Sequence, residues 1–212
     1  MEHEVSTQPK VRITPEEYLA LERKAEVRSE YFDGEMFVMS GALREHNRIV
    51  VNIASELSSQ FMDHPCEVYA TDIRTKVSPT GLYTYPDIVA VCSEPQYEDD
   101  HLDTLINPLL IMEVLSESTE SYDRGKKFAH YRTIASLREY FLVTTTECRI
   151  ERFSRQDDGN WLYTESTDLD GSIELASVAC RISLSRIYHK VDFEGVKERQ
   201  DARRSSPPTR SA

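Results

Sequence analysis

The stretch that most constrains this chain is the run PLLIMEVL, residues 108–115, apolar from end to end except for Glu113. It is far too short for the roughly 18–20 residues needed to span a bilayer, so it reads as a buried strand. YTYPDIVAVC, residues 83–92, has the same character and carries Asp87. A carboxylate inside such a run is costly to desolvate unless a cation, a set of donors or a metal ion compensates it. If the two runs form adjacent strands, Asp87 and Glu113 converge at one end of a sheet. Taken singly, each acid also has a plain structural reading: Asp87 bonded to a loop, Glu113 paired with an arginine or lysine.

The other segments surround these strands with both kinds of element. Thr14-Pro15-Glu16-Glu17 has the form of a capped helix start, with the helix running to about Lys24. EYFDGEMFVMS reads as a hairpin around Asp33-Gly34. A two-residue turn there sets Phe32 opposite Glu35 and Glu30 opposite Phe37, all on one face. Ile49, Val50, Ile53, Leu57 and Phe61 recur at helical spacing, and His46 lies on the same stripe near the helix start. CEVYATD, IRTKVS and REYFLVTT read as strands, and CRIERFSR and WLYTESTD as a hairpin around Asp157-Asp158-Gly159. A helix is expected within 116–134 and a short one near Leu184–His189. The order predicts an α/β domain with a central mixed β-sheet flanked by helices. Its expected limits are 13–193, between an N-terminal extension at 1–12 and a disordered polar tail at 194–212.

Composition bears on partners and compartment. No apolar run is long enough for a membrane helix, and the N-terminus lacks the apolar core of a signal peptide, so a cytoplasmic protein is expected. Cys66, Cys92, Cys148 and Cys180 are widely spaced without a CxxC pair, which predicts reduced thiols rather than a zinc ribbon or redox dithiol. With no HExxH-type cluster, a zinc enzyme is disfavoured. The formal charge is −12, and residues 197–212 hold three net positive charges, leaving −15 on the rest. That balance opposes phosphate binding unless assembly or a divalent cation offsets the repulsion.

In YDRGKKFAHY, residues 122–131, Asp123, Lys127 and Tyr131 fall at i, i+4 and i+8 on one helical face, while Lys126 points about 100° away. One reading is a surface ion pair between Asp123 and Lys127. The other has Lys127 reaching the Asp87–Glu113 centre.

The segments YFDGEMFVMSGA, His46 ahead of a helix, YPDIVAV, LLIMEVLS and YDRGKKFAHYR, in this order across roughly residues 13–190, resemble the restriction-endonuclease-like family known as Uma-two, within the PD-(D/E)XK nuclease superfamily. The resemblance implies a restriction-endonuclease-like core and a Mg²⁺- or Mn²⁺-dependent endonuclease acting on DNA phosphodiesters. It implies that Asp87 and Glu113 are the metal ligands. Two positions after Glu113, where the motif lysine belongs, stands Leu115. The resemblance then implies that the lysine has moved to the following helix, as Lys127 between Asp123 and Tyr131. Glu30, Glu35 and His46 also match family positions. Either glutamate would be a further metal or water ligand, and His46 either bonds an acid or simply ends its helix. Glu117 stands where the family usually has proline. A catalytically degenerate module that binds nucleic acid or protein is the alternative, and a different metal-dependent phosphoesterase is a third. Edge strands leave a homodimer open.

Overall fold

The computed structural model describes residues 12–205; the N-terminal extension up to residue 11 and the tail beyond 205 lie outside the described residues. Helix α1 (Pro15–Glu22) starts as the sequence predicts. The Thr14 side chain accepts from the Glu17 amide at 3.2 Å, and the Glu17 carboxylate accepts from the Thr14 amide at 2.7 Å. This reciprocal cap satisfies two otherwise orphaned donors. The hairpin of β1 (Ser29–Phe32) and β2 (Glu35–Val38) has the expected register, Phe32 opposite Glu35 and Glu30 opposite Phe37. Asp33 and Gly34 turn it with φ of 48° and 83°, the left-handed pair that matches strand twist.

Strands β3 (Glu67–Ala70), β6 (Ile88–Val91), β8 (Leu110–Val114), β9 (Glu139–Val143), β10 (Ile150–Arg155) and β11 (Trp161–Ser166) build a mixed sheet in the order β11-β10-β9-β8-β6-β3. Only β8 and β9 run parallel within it. A second sheet, β2-β1-β5-β4-β7, uses β4 (Arg74–Val77), β5 (Leu82–Thr84) and the two-residue β7 (Thr104–Leu105). The single array expected from sequence is thus divided. The division falls at Tyr85-Pro86-Asp87, where the chain leaves β5 for β6.

Helix α2 (Arg44–Gln60) covers one face of the mixed sheet. Ile49, Ile53 and Leu57 are fully buried there against Ile88, Ala90, Leu110, Met112 and Val114. Truncating one of them to alanine would cost about 2–5 kcal/mol. The opposite face, with Val89, Ile111, Leu115 and Leu142, packs on Val77, Leu82 and Leu105 of the second sheet and on Tyr131 and Ile134. Strand alternation places Asp87 and Glu113 on this second, inter-sheet face. A small hairpin, β12 (Ser172–Leu175) with β13 (Cys180–Ser183), and α5 (Leu184–Ile187) complete the α2 side.

Two expectations are corrected. The segment from 194 was expected to be disordered, but α6 spans Phe193–Ser205. Asp192 caps it by accepting from the Gly195 amide at 3.0 Å, Val196 is buried, and Phe193 meets Tyr188 at 5.2 Å between ring centroids. Arg199 also pairs with the buried Glu45 at 2.9 Å. The apolar contacts of Phe193 and Val196 and the Arg199–Glu45 pair help to hold a helix whose composition is otherwise polar. The second correction concerns the thiols: Cys66 and Cys92 are joined as a disulfide, whereas Cys148 and Cys180 are free. Their separation of 26 residues hides the pairing, which arises because Glu67 pairs with Val91 and the next position outward sets the cysteines face to face.

Candidate active site

The site is built where the two sheets part. Ile88 pairs with Met112, so the next step of that antiparallel register places Asp87 opposite Glu113, with Cβ atoms about 4.5–5.5 Å apart. Asp87 Oδ2 accepts from the Val114 amide at 2.8 Å, which ties the start of β6 to the end of β8. His46 Nε2 lies 3.2 Å from the same oxygen, reaching down from the first turn of α2.

Lys127 arrives from the far side. Glu120–Tyr122 (α3) and Phe128–Tyr131 (α4) are α-helical, and Asp123–Lys127 between them is a π-helical turn. Such widened turns re-aim side chains and are frequent at functional sites. Asp123 and Lys127 are buried here, and Lys126 is exposed. Lys127 Nζ stands 3.0 Å from Glu113 Oε1, 3.2 Å from Glu30 Oε1 and 3.5 Å from Asp123 Oδ1. Leu115, at the motif position, is buried in the inter-sheet core. Tyr131 donates its hydroxyl to Glu113 Oε1 at 2.8 Å.

Asp87, Glu113, Lys127, Glu30, His46, Asp123 and Tyr131 are therefore brought together. Glu35 sits on the same hairpin face as Glu30, half-buried opposite Phe32 at the turn end. Thr84 was missed from sequence: its hydroxyl bonds Glu30 and lies 3.4 Å from the Tyr131 hydroxyl. The alternation of YTYPD, which turns Thr84 inward beside Glu30, was the available signal. Tyr140 was missed as well, and it donates to the Asp123 carbonyl at 3.0 Å.

Four carboxylates and one ammonium make an electrostatically unbalanced cluster. Burial pushes the Glu113 carboxyl up; Lys127 pulls it back, and Asp123 and Asp87 push it further, to about 8. Asp123 is also raised, by burial first and by Asp87 and Glu30 after it. Burial pulls Lys127 down, but Glu113, Tyr131, Glu30 and Asp123 outweigh that and hold it firmly protonated. The two contacts of Glu113 fall on Oε1 and those of Asp87 on Oδ2, so each acid keeps a second oxygen outside these bonds. A divalent cation fits this pair. Its donors are hard oxygens, and Mg²⁺ takes one or two carboxylates with water and phosphate oxygens completing the shell.

The mixed sheets flanked by helices make a nuclease-like fold. The chain belongs to the Uma2 family, described as "Putative restriction endonuclease", whose pattern matches residues 15–185. It is similar to two proteins of Synechocystis sp. (strain ATCC 27184 / PCC 6803 / Kazusa). Uncharacterized protein sll1609 is 35% identical over 77% of this chain and 93% of its own length. Uncharacterized protein slr1290 is 33% identical over 87% and 96%. The fold resembles a crystal structure from Anabaena variabilis ATCC 29413, a "putative nuclease belonging to DUF820", with a TM-score of 0.68 and 20% identity over 83% of this chain and 97% of that one.

Proposed function

We propose that this chain is a divalent-metal-dependent endonuclease that hydrolyses DNA phosphodiester bonds, with Asp87 and Glu113 holding Mg²⁺ or Mn²⁺ and Lys127 acting as the site's cation. The observation that carries the reading is Lys127 Nζ, buried 3.0 Å from Glu113 Oε1, although the motif position is filled by Leu115. A bound divalent ion would activate a water and neutralise charge developing on the phosphoryl oxygens.

The chain's own groups have separable tasks. Asp87 is fixed by the Val114 amide and His46, so its second oxygen is held in place for a cation. Tyr131, its phenol held well above its usual range by burial, remains a neutral donor that orients Glu113. Lys127, kept protonated, is placed to orient a water or to meet negative charge on the reacting phosphate. Glu30 and Asp123 hold Lys127 in that place.

The test is calorimetric titration of Mg²⁺ and Mn²⁺ into wild type and Asp87→Ala, alongside nicking of supercoiled plasmid. Wild type is expected to bind and to cut, and the variant to do neither while keeping its fold. Metal binding without cleavage of DNA, RNA or small phosphoesters would make the chain a non-cleaving module; its overall charge of −12 favours that second reading.

A further inference from the structure

We propose that His64, Cys66 and Cys92 form a second cation site, for a borderline-soft divalent ion such as Zn²⁺, available only when the Cys66–Cys92 disulfide is reduced. The three side chains lie in two connecting segments, at the ends of three elements. His64 follows the end of α2, where its amide donates to the Phe61 carbonyl at 3.0 Å and its ring stacks on Phe61 at 5.7 Å between centroids. Cys66 immediately precedes β3, and Cys92 immediately follows β6. One ligand atom from each lies within 4.8 Å of the other two. His64 Nδ1 is buried without a hydrogen-bond partner among the described residues, a cost that a coordinated ion would remove.

The donor chemistry separates this cluster from the acid centre. Two thiolates and an imidazole select zinc-like ions, whereas the carboxylates of Asp87 and Glu113 suit Mg²⁺ or Mn²⁺. Asp87 and Cys92 flank the same strand, β6, so the two centres stand about 16 Å apart. Tetrahedral coordination with Zn–S of about 2.3 Å and Zn–N of about 2.0 Å needs ligand atoms roughly 3.5–4 Å from one another. Small side-chain adjustments meet this once the sulfurs are no longer bonded. Cys66 is buried while Cys92 and His64 are half-buried, which leaves a fourth position toward solvent for water.

The step balances with a dithiol as reductant. Two electrons and two protons pass from the dithiol to Cys66 and Cys92, the S–S bond breaks, and the dithiol becomes a disulfide. Binding of M²⁺ then releases the two thiol protons, so the ion, two thiolates and a neutral imidazole form a centre of zero net charge. That neutrality suits a half-buried location. Oxidised, the sulfurs tie β3 to β6 directly; reduced, the ion does so and recruits the end of α2.

The test uses the full chain reduced with a phosphine, freed of metal and titrated with Co²⁺ as a spectroscopic stand-in for Zn²⁺. Expected are one equivalent bound with thiolate-to-cobalt charge-transfer absorption, its displacement by Zn²⁺, and no such absorption in the oxidised protein. Cys92→Ser should lose at least about half of the band, His64→Ala should weaken affinity at least about tenfold, and Asp87→Ala, at the other centre, should leave the band unchanged. The absence of the band in reduced wild type at stoichiometric Co²⁺ overturns the proposal, whatever the variants do. A full band in Cys92→Ser does so too, since Cys92 would then supply no thiolate to the ion, and a band in oxidised wild type overturns the redox gate.

Discussion

Two polar networks flank the second sheet, one of them only part-buried, and they treat their acids in opposite ways. On one side, Arg23 holds Asp99 and Asp103 at 2.7 and 2.8 Å, and Arg74 bonds Tyr85 at 3.0 Å and Thr104 at 2.9 Å while facing Asp103 at 3.5 Å. Glu22 there accepts from the Ser29 amide and the Tyr85 hydroxyl, both at 2.9 Å. On the other side, Lys127 alone faces Glu30, Glu113 and Asp123. Arg23 draws the Asp103 carboxyl down to about 2, whereas burial and neighbouring acids drive Glu113 up to about 8. The first network sets two guanidinium groups against three carboxylates, with Glu22 Oε2 left without a hydrogen-bond partner among the described residues, and acts as structure. The second sets one ammonium among four carboxylates, and the excess appears as raised carboxyl pKa values at Glu113 and Asp123, a pattern found at functional sites and also in structural ion-pair networks.

The largest effect expected from breaking this contrast lies at Lys127. Removing a cation that acts mainly on the transition state should cost about 2.7–4 kcal/mol of barrier, or 10²–10³ in rate, by analogy with losing one oxyanion donor. Lys127→Met should therefore nearly silence cleavage of a DNA that wild type cuts, while Lys126→Met, altering an exposed side chain, should be close to neutral. Because Lys127 is buried among three acids, its loss should also lower the melting temperature of the metal-free protein, with Mg²⁺ restoring part of it. Equal cleavage rates for the two variants would sink the assignment. The matching change in the first network is Arg74→Met. It should cost about 3 kcal/mol of unfolding free energy, the scale for breaking a buried pair. It should leave Mg²⁺ affinity unaltered, and a shift in that affinity would show that the two networks are coupled.

Only the acid-rich side of this contrast was legible in the sequence. Asp-Gly fixed the hairpin register, and hence that Glu30 and Glu35 share a face, because a two-residue turn leaves no freedom in the pairing. The two acid-bearing apolar runs do lie on neighbouring strands, and a four-residue spacing put Asp123 and Lys127 on one helical face, which the structure turns inward rather than to the surface. The π turn left no sequence mark beyond Gly125, and it affects aim rather than facing. What the sequence hid depends on distant register. The split of the sheet at Pro86, the Arg23–Asp99–Asp103 network and the meeting of His64, Cys66 and Cys92 each need the relative placement of strands far apart in the chain. No local period encodes that placement. The α6 helix was missed because the packing of Phe193 and Val196 and the Arg199–Glu45 pair outweigh a polar composition.

A smaller effect, opposite in sign, is expected at Glu113. A carboxyl whose pKa in the folded chain exceeds its unfolded value penalises the folded state once pH rises above the unfolded value, near 4.3. Gln is a neutral isostere that escapes the penalty. At pH 7.5 without metal, Glu113→Gln should therefore raise the melting temperature, by an amount on the order of 1 kcal/mol in unfolding free energy. Added Mg²⁺ should stabilise wild type and leave the variant unmoved. A variant less stable than metal-free wild type would mean that the Lys127 pair outweighs the acid repulsion, and the contrast between the networks would fail.

The smallest effect tests the first network. Asp103 has a folded pKa of about 2, below an unfolded value near 3.9, chiefly because Arg23 bonds it. A depressed carboxyl contributes stability that is fully present above the unfolded value and is lost as pH falls toward the folded one. The relevant window therefore runs from about pH 4 down to about 2. A third of the Asp103 side chain is exposed, so solvent screens the Arg23 pair and the effect is modest. Melting temperatures of wild type and Asp103→Asn, compared at pH 6 and pH 3, should show a smaller acid-induced drop in the variant, since Asn has no proton to take up. The drop should also shrink in 1 M salt, which weakens the exposed part of the pair. An identical drop in both proteins would assign the acid sensitivity to Asp99 or to groups outside this network, and the low pKa of Asp103 would then have no consequence for folding.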